Sequence, residues 1–144
     1  MCRERQVYPR VVPYSLDVAH DGKLHRVAIK RLKTPYCTKC QYPVPDSAAN
    51  HQITVEFLRQ MKLLTPEQIR SRREALNLTQ KQLASYLGIA GATMSRWETG
   101  GQIQQRSLDN LLRIFFAFPD VRRQLMKKHV ARLGLVVEEE LVPA

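Results

Sequence analysis

The sequence predicts an α+β chain: a small antiparallel β-sheet, then a linker helix, then an all-α domain of five helices. Three observations carry this. Residues 1–45 contain two stretches of mixed alternation, Val11 to Ala19 and Lys23 to Leu32, separated by Asp21-Gly22. That dipeptide tolerates the positive φ angles of a tight hairpin turn. From Thr65 onward the pattern changes to short amphipathic segments punctuated by capping residues and glycines. The expected divisions are a β domain over 1–45, a linker helix over 46–64, a helical domain over 65–128 and a tail over 129–144.

Pro9, Pro13 and Pro35 restrict the sheet, because proline cannot donate to a strand ladder and is confined to edges and bulges. Pro43-Val44-Pro45 ends it, and Asp46 or Ser47 can cap the next helix. Ile53, Phe57, Met61 and Leu64 then recur at helical spacing, which predicts one apolar stripe over 48–64.

Thr65-Pro66-Glu67-Gln68 supplies a cap, a proline at the first helical position and a Gln at the third, and Thr79-Gln80-Lys81-Gln82 repeats the pattern. Two starts this close force a short helix, a tight turn and another short helix. Gly88 can end the second helix in left-handed geometry, and Gly100-Gly101 can end the third. Leu108, Leu111, Leu112, Phe115 and Phe116 form the stripe of a fourth. Pro119 opens a fifth that reaches about Lys128.

Charge narrows the function. The formal net charge is +10, with 44% hydrophobic residues; the second figure excludes wholesale disorder, and the first calls for a polyanionic partner. Nucleic acid is the first candidate and an anionic membrane the second. Residues 1–64 carry 11 Lys/Arg against 5 Asp/Glu, residues 65–128 carry the same numbers, and only the tail is acidic, 1 against 3. No apolar run approaches the ~20 residues that cross a bilayer. Met1-Cys2-Arg3-Glu4-Arg5 lacks the apolar core of a secretory signal, so the cytoplasm is expected, with nucleoid association when bound to DNA. No nucleophile–base pair, phosphate loop or paired acids at helical spacing occurs, so no catalytic residue is assigned and no enzyme is expected.

Arg73, Thr79-Gln80, Leu83-Ala84, Leu87-Gly88-Ile89 and then Met94-Ser95-Arg96-Trp97-Glu98 with Gly100 make one continuous pattern. It resembles the helix-turn-helix of the phage-repressor-like (XRE) family over about 50 residues. Leu83, Ala84, Leu87, Met94 and Trp97 suit two short helices packed at a steep angle, and small Ala84 allows their close approach. Such a motif presents the start of one helix to a phosphate and the next helix to the major groove of double-stranded DNA. The resemblance implies that Gln80 contacts the DNA backbone and that Gly91, Ala92 and Arg96 take base-facing positions, with Thr93 beside them. Lys81, Ser95 and Arg106 complete the expected DNA-binding set. Gly91 has no side chain and Ala92 can at most touch a thymine methyl, so Arg96 is the expected reader, with the geometry for guanine O6 and N7. Ala90 stands where a hydroxyl residue commonly caps this helix. Arg73 and Glu98, by the same resemblance, form an internal salt bridge.

Cys37-Thr38-Lys39-Cys40 is a C-x-x-C, a spacing that lets two thiolates chelate zinc from a short turn. Cys2 lies far upstream, and three cysteines fall one short of a closed tetrahedral site. His20, His25 and His51 are candidate fourth ligands, each more plausibly a surface histidine. Taken with Cys2-Arg-Glu-Arg-Gln-Val and Val12-Pro13-Tyr14-Ser15-Leu16-Asp17-Val18, the C-x-x-C and the repressor-like half make the chain similar to the MqsA (YgiT-type) antitoxin family. That resemblance implies a zinc-ribbon-like N-terminal domain that neutralises a partner toxin and a C-terminal domain that dimerises and represses its own operon. Family members carry C-x-x-C twice; Cys2 matches the second cysteine of the first pair, and the first would precede Met1. Either the natural start lies upstream or the site is short of a ligand. Zinc on Cys2, Cys37 and Cys40 is the expected cofactor.

Two alternatives remain open at this level. One is a stand-alone XRE-type regulator whose N-terminal half binds metal or another protein. The other is an RNA-binding protein using the basic sheet of residues 10–33. A homodimer is expected, joined through Phe115, Phe116 and Phe118 or through the tail with Leu135, Val136 and Val137; for the phenylalanines plain core packing is the preferred reading.

Overall fold

The computed structural model describes residues 6–132, with side chains described for 6–128. The elements are β1 (Val7–His20), β2 (Lys23–Cys37), α1 (Ser47–Met61), α2 (Pro66–Ala75), α3 (Gln80–Leu87), α4 (Gly91–Thr99), α5 (Arg106–Ala117) and α6 (Pro119–Arg132). They divide into two compact units, Met1–Thr65 and Pro66–Ala144. Cys2 and the tail residues Leu135 to Glu140 lie outside the described residues.

In the first unit β1 and β2 form one long antiparallel hairpin. Asp21 and Gly22 both take positive φ, 51° and 72°, as a tight hairpin turn requires. Both strands outrun the stretches expected from alternation, and their register accommodates the prolines. A two-residue turn makes His20 and Lys23 a hydrogen-bonded pair, so the even residues of β1 turn their peptide groups to β2 and the odd ones turn theirs outward. Pro9 and Pro13 are both odd, so their missing N–H groups cost the ladder nothing. Opposite Pro13 the register shifts between Val12 and Tyr14, and Lys30 and Arg31 bulge outward together. The bulge keeps Ile29 and Leu32 on the same buried face.

That face carries Val27, Ile29, Leu32 and Thr34, all buried, and α1 packs on it through Ala49, Ile53, Phe57 and Leu58. The helix expected as a linker is therefore part of the N-terminal core, because two strands alone cannot bury a face. Asp46 caps α1, its carboxylate accepting the Ala49 N–H at 2.9 Å. The helix stops at Met61, three residues before the predicted Leu64. There Lys62 turns left-handed (φ 54°), with Lys62 N–H donating to Arg59 O and Leu63 N–H to Leu58 O. That bond pair is a Schellman ending built without glycine.

The second unit follows the predicted order of five helices. The Thr79 capping box forms in both directions, Gln82 N–H to Thr79 Oγ1 at 3.1 Å and Thr79 N–H to Gln82 Oε1 at 2.9 Å. Gly88 (φ 74°) and Gly100 (φ 79°) close α3 and α4 in left-handed geometry. Asn77 (φ 55°) does the same after α2, which the sequence pattern did not reveal. Ile69, Leu83, Ala84, Met94, Trp97, Leu112 and Phe115 are buried as the core. Asp109 is also fully buried, accepting from Gln104 Nε2 at 3.0 Å and Arg113 Nε at 2.7 Å. Arg122 of α6 donates to the Phe115 and Phe116 carbonyls and so caps the end of α5. The last helix runs to Arg132, past the expected end near Lys128.

Candidate nucleic-acid interface

The geometry of α4 follows from which of its residues must be buried. Met94, Trp97 and Glu98 point inward, and Gly91, Ala92 and Arg96 are exposed, with Thr93 and Ser95 half-exposed between them. The Arg96 guanidinium forms no hydrogen bond or ion pair among the described residues. Trp97 Nε1 is buried and likewise has no partner there.

Glu98 organises the inner side. Its carboxylate receives Arg73 bidentately, Nε at 2.6 Å and Nη2 at 3.0 Å, and Arg73 Nη1 donates to Leu78 O at 2.7 Å. The α2–α4 salt bridge expected from the sequence is thus present and buried. Gln80 Nε2 also donates to Glu98, at 2.8 Å. Burial opposes ionisation of Glu98, but the hydrogen bonds from Arg73 and Gln80, with the charges of Arg73 and Arg70, outweigh it. Its carboxyl is held below the ordinary value. The Glu98 hydrogen bond in turn raises Arg73 above its ordinary value, against the cost of its own burial.

Gln80, expected at a phosphate, therefore has its amide nitrogen engaged by Glu98 while its backbone N–H opens α3. The cap takes up the Gln82 N–H, and the Gln80 and Lys81 N–H groups have no partner among the described residues. The first turn of α4 has the same property at Gly91 and Ala92, because Ala90 is extended (φ −69°, ψ 143°) and offers no side-chain cap. Lys81 is exposed and Arg106, the first residue of α5, is half-exposed.

Arg70 escaped the sequence reading. Its side chain is 51% exposed, Nη2 donates to Glu98 O at 3.2 Å, and Nε lies 3.6 Å from the Glu98 carboxylate. Its spacing of three from Arg73 on the same helix was the available signal.

The cysteine turn sits at the far end of the hairpin in the first unit. Cys37 is buried and Cys40 exposed; Gln41 N–H donates to Cys37 O and Cys37 N–H to Tyr42 O, each at 3.0 Å. Thr38 N–H donates to Gln6 O at 3.0 Å, which ties the turn to a residue four positions after Cys2. Two thiol donors on a tight turn fit half of a tetrahedral zinc site, and no group of three or more metal-binding side chains gathers among the described residues. The histidines do not complete it. His20 and His25 lie at the opposite end of the hairpin, beside the Asp21-Gly22 turn, with their rings against Phe57 at 5.4 and 6.4 Å. They are part of the α1 packing, not surface histidines; His51 alone of the three is exposed.

No helix among the described residues is long and apolar enough to cross a membrane. No curated protein matches the chain. The model of a family described as the antitoxin component of a bacterial toxin-antitoxin system, MqsA, matches residues 5–126. With that match running from the first strand into the last helix, the chain belongs to the MqsA antitoxin family.

Proposed function

We propose that this antitoxin binds operator DNA through α3 and α4, represses its own transcription as a homodimer, and neutralises a toxin through its N-terminal unit in the cytoplasm. The observation that carries the DNA reading is Arg96: an exposed guanidinium with no partner among the described residues, on a helix held from behind by Met94, Trp97 and the Glu98 ion pair. An arginine so presented suits bidentate contact with guanine. N–H groups at Gln80, Lys81, Gly91 and Ala92 that have no partner among the described residues support phosphate contacts on either side, with Lys81 and Arg106 adding charge. Thr93 and Ser95 flank the reader on the groove side. With Gly91 and Ala92 offering so little, specificity rests on Arg96, DNA shape and half-site spacing.

Selection of binding sites from a random duplex pool is the test. Arg96→Ala should relax one base pair per half-site by ~1–3 kcal/mol, while Lys81→Ala should weaken all sequences alike and flatten the salt dependence. If no position relaxes in the Arg96 variant, the reading is wrong.

Of the phenylalanines expected at a dimer contact, Phe115 is fully buried in the core and drops out, whereas Phe118 is exposed beside Ile114 at the end of α5, 56% and 42%, and this apolar pair supports a dimer contact there. Zinc, held by Cys37, Cys40 and Cys2, would tie the chain start to the end of β2 and contribute to folding. Mass spectrometry of the native chain should find one zinc per chain, lost in Cys37→Ser; a metal-free chain refutes the site.

A further inference from the structure

The two outer edges of the hairpin are treated differently. Along β2 the outward peptide groups from Ala28 onward are taken up one after another, while those of Leu24 and Arg26 have no hydrogen bond among the described residues. Gln60 Nε2 donates to Ala28 O at 3.1 Å, and the Gln52 amide bridges Arg31 O (2.8 Å) and Lys33 N–H (3.2 Å), as a neighbouring strand would. Farther along, Val44 N–H donates to Pro35 O at 2.8 Å and Tyr42 O accepts from Cys37 N–H. Along β1 no outward group of Val11 to Ala19 has a hydrogen bond among the described residues. Prolines blunt the first part of that edge at positions 9 and 13. From Ser15 to Ala19 nothing does: Ser15, Asp17 and Ala19 present N–H and C=O groups in sequence. An uncovered strand edge is a template for pairing.

We propose that the outer edge of β1 over Ser15–Ala19 is a docking edge that receives an extended strand of a partner protein carrying acidic side chains at alternate positions. Charge selects the occupant. Arg26, Lys30, Arg31 and Lys33 are exposed on β2, against one exposed acid on β1, Asp17, which Arg26 already engages at 3.3 Å. Lys30 and Arg31 lie opposite Pro13, and Arg26 already reaches across β1 to Ser15 Oγ at 3.0 Å, so short side chains on β1 let long basic ones lean toward a third strand. A second copy of β1 would instead set two such basic faces on one continuous sheet, which like charges oppose. Strand addition supplies affinity through main-chain bonds and specificity through alternate side chains. The inference rests on the reading that the N-terminal unit is the protein-binding half.

Amide hydrogen exchange on the full chain tests it, with an eight-residue peptide of alternating Glu and Val as the probe. Exchange at Ser15, Asp17 and Ala19 should slow by ~10-fold or more, while Tyr14, Leu16 and Val18, already bonded to β2, should not change. A Lys–Val peptide should give no protection. Ser15→Pro and Ala19→Pro should each abolish binding with the melting curve preserved; because the exchange pattern is read on the unaltered chain, a variant that misfolds does not decide the matter. Failure of the Glu–Val peptide to protect these three amides overturns the edge, as does a single-stranded RNA that binds the hairpin and leaves them exchanging. The co-purified toxin separates the two readings. Toxin bound with these amides unprotected overturns the docking edge alone; peptide protection without toxin binding supports the edge and removes the toxin.

Discussion

The helical unit closes its backbone locally, and the hairpin unit closes it at long range. Thr79 caps α3 through Gln82, three residues away, and Asn77, Gly88 and Gly100 end their helices within a turn. In the hairpin unit the middle of the outer β2 edge, Ala28 to Lys33, is satisfied by Gln52 and Gln60, which reach peptide groups 19 to 32 residues back along the chain. The difference teaches where each half is vulnerable. A local cap fails alone, whereas an edge covered by a helix depends on that helix staying seated.

The largest effects should come from the two cores. Glu98→Ala leaves Arg73 buried without its anion and should cost ~3–5 kcal/mol in urea unfolding. Replacing both partners by leucine should recover much of that loss, because an apolar pair removes the unpaired charge. The ion pair also makes a pH prediction. A carboxyl held below its ordinary 4.5 contributes stability that is complete above that value and is lost as pH falls through the lower folded value. Acid titration of helical ellipticity should therefore show a loss starting below pH 4.5, reduced in Glu98→Gln. An unchanged acid slope in that variant would remove Glu98 from the account. In the hairpin unit Phe57→Ala should cost a comparable ~3–5 kcal/mol, since Phe57 is the largest buried side chain between α1 and the sheet. The same change should free the His20 and His25 rings, readable as altered histidine resonances.

Gln52→Ala sharpens the contrast at smaller scale. Its amide serves two peptide groups of β2, both near solvent, so the loss should be ~0.5–1.5 kcal/mol. Thr79→Ala should cost about 1 kcal/mol by removing one cap. The two should be told apart by hydrogen exchange. Thr79→Ala should speed exchange only in the first turn of α3, and Gln52→Ala should speed it at Lys33.

This contrast also accounts for what was legible in the sequence. Helix starts and stops at Pro66, Thr79, Gly88 and Gly100 were readable because the signal and its effect lie within four residues. So was Asp21-Gly22. Strand lengths were not, because Pro9 and Pro13 look like breakers until the register puts their nitrogens on the outward side. The role of α1 was also hidden: its apolar stripe announces burial but not the surface that buries it, and the Schellman ending at Lys62 uses no glycine. At the candidate interface, the outward placement of Arg96, Gly91 and Ala92 was legible only through the resemblance to the repressor-like motif, with Met94 and Trp97 as its core. The engagement of Gln80 and Arg70 by Glu98 was not, since both contacts depend on three helices meeting.

The smallest prediction concerns a helix start at the interface that lacks a side-chain cap. Ala90 is already in the extended geometry of a cap residue, and Thr93 N–H donates to its carbonyl at 3.0 Å. A hydroxyl at position 90 could accept from the first turn with no change of backbone, so Ala90→Ser should stabilise the chain by ~0.5–1 kcal/mol. The first-turn N–H groups of α4 are also those offered to a phosphate in the proposed complex. A serine cap would compete for them, and operator affinity should then fall or hold while stability rises. A variant that gains stability and affinity together would mean that these N–H groups stay clear of the DNA. One that gains neither would mean that the turn from Gly88 to Gly91 resists the hydroxyl, and that its conformation is set by the packing of Met94 and Trp97 rather than by the cap.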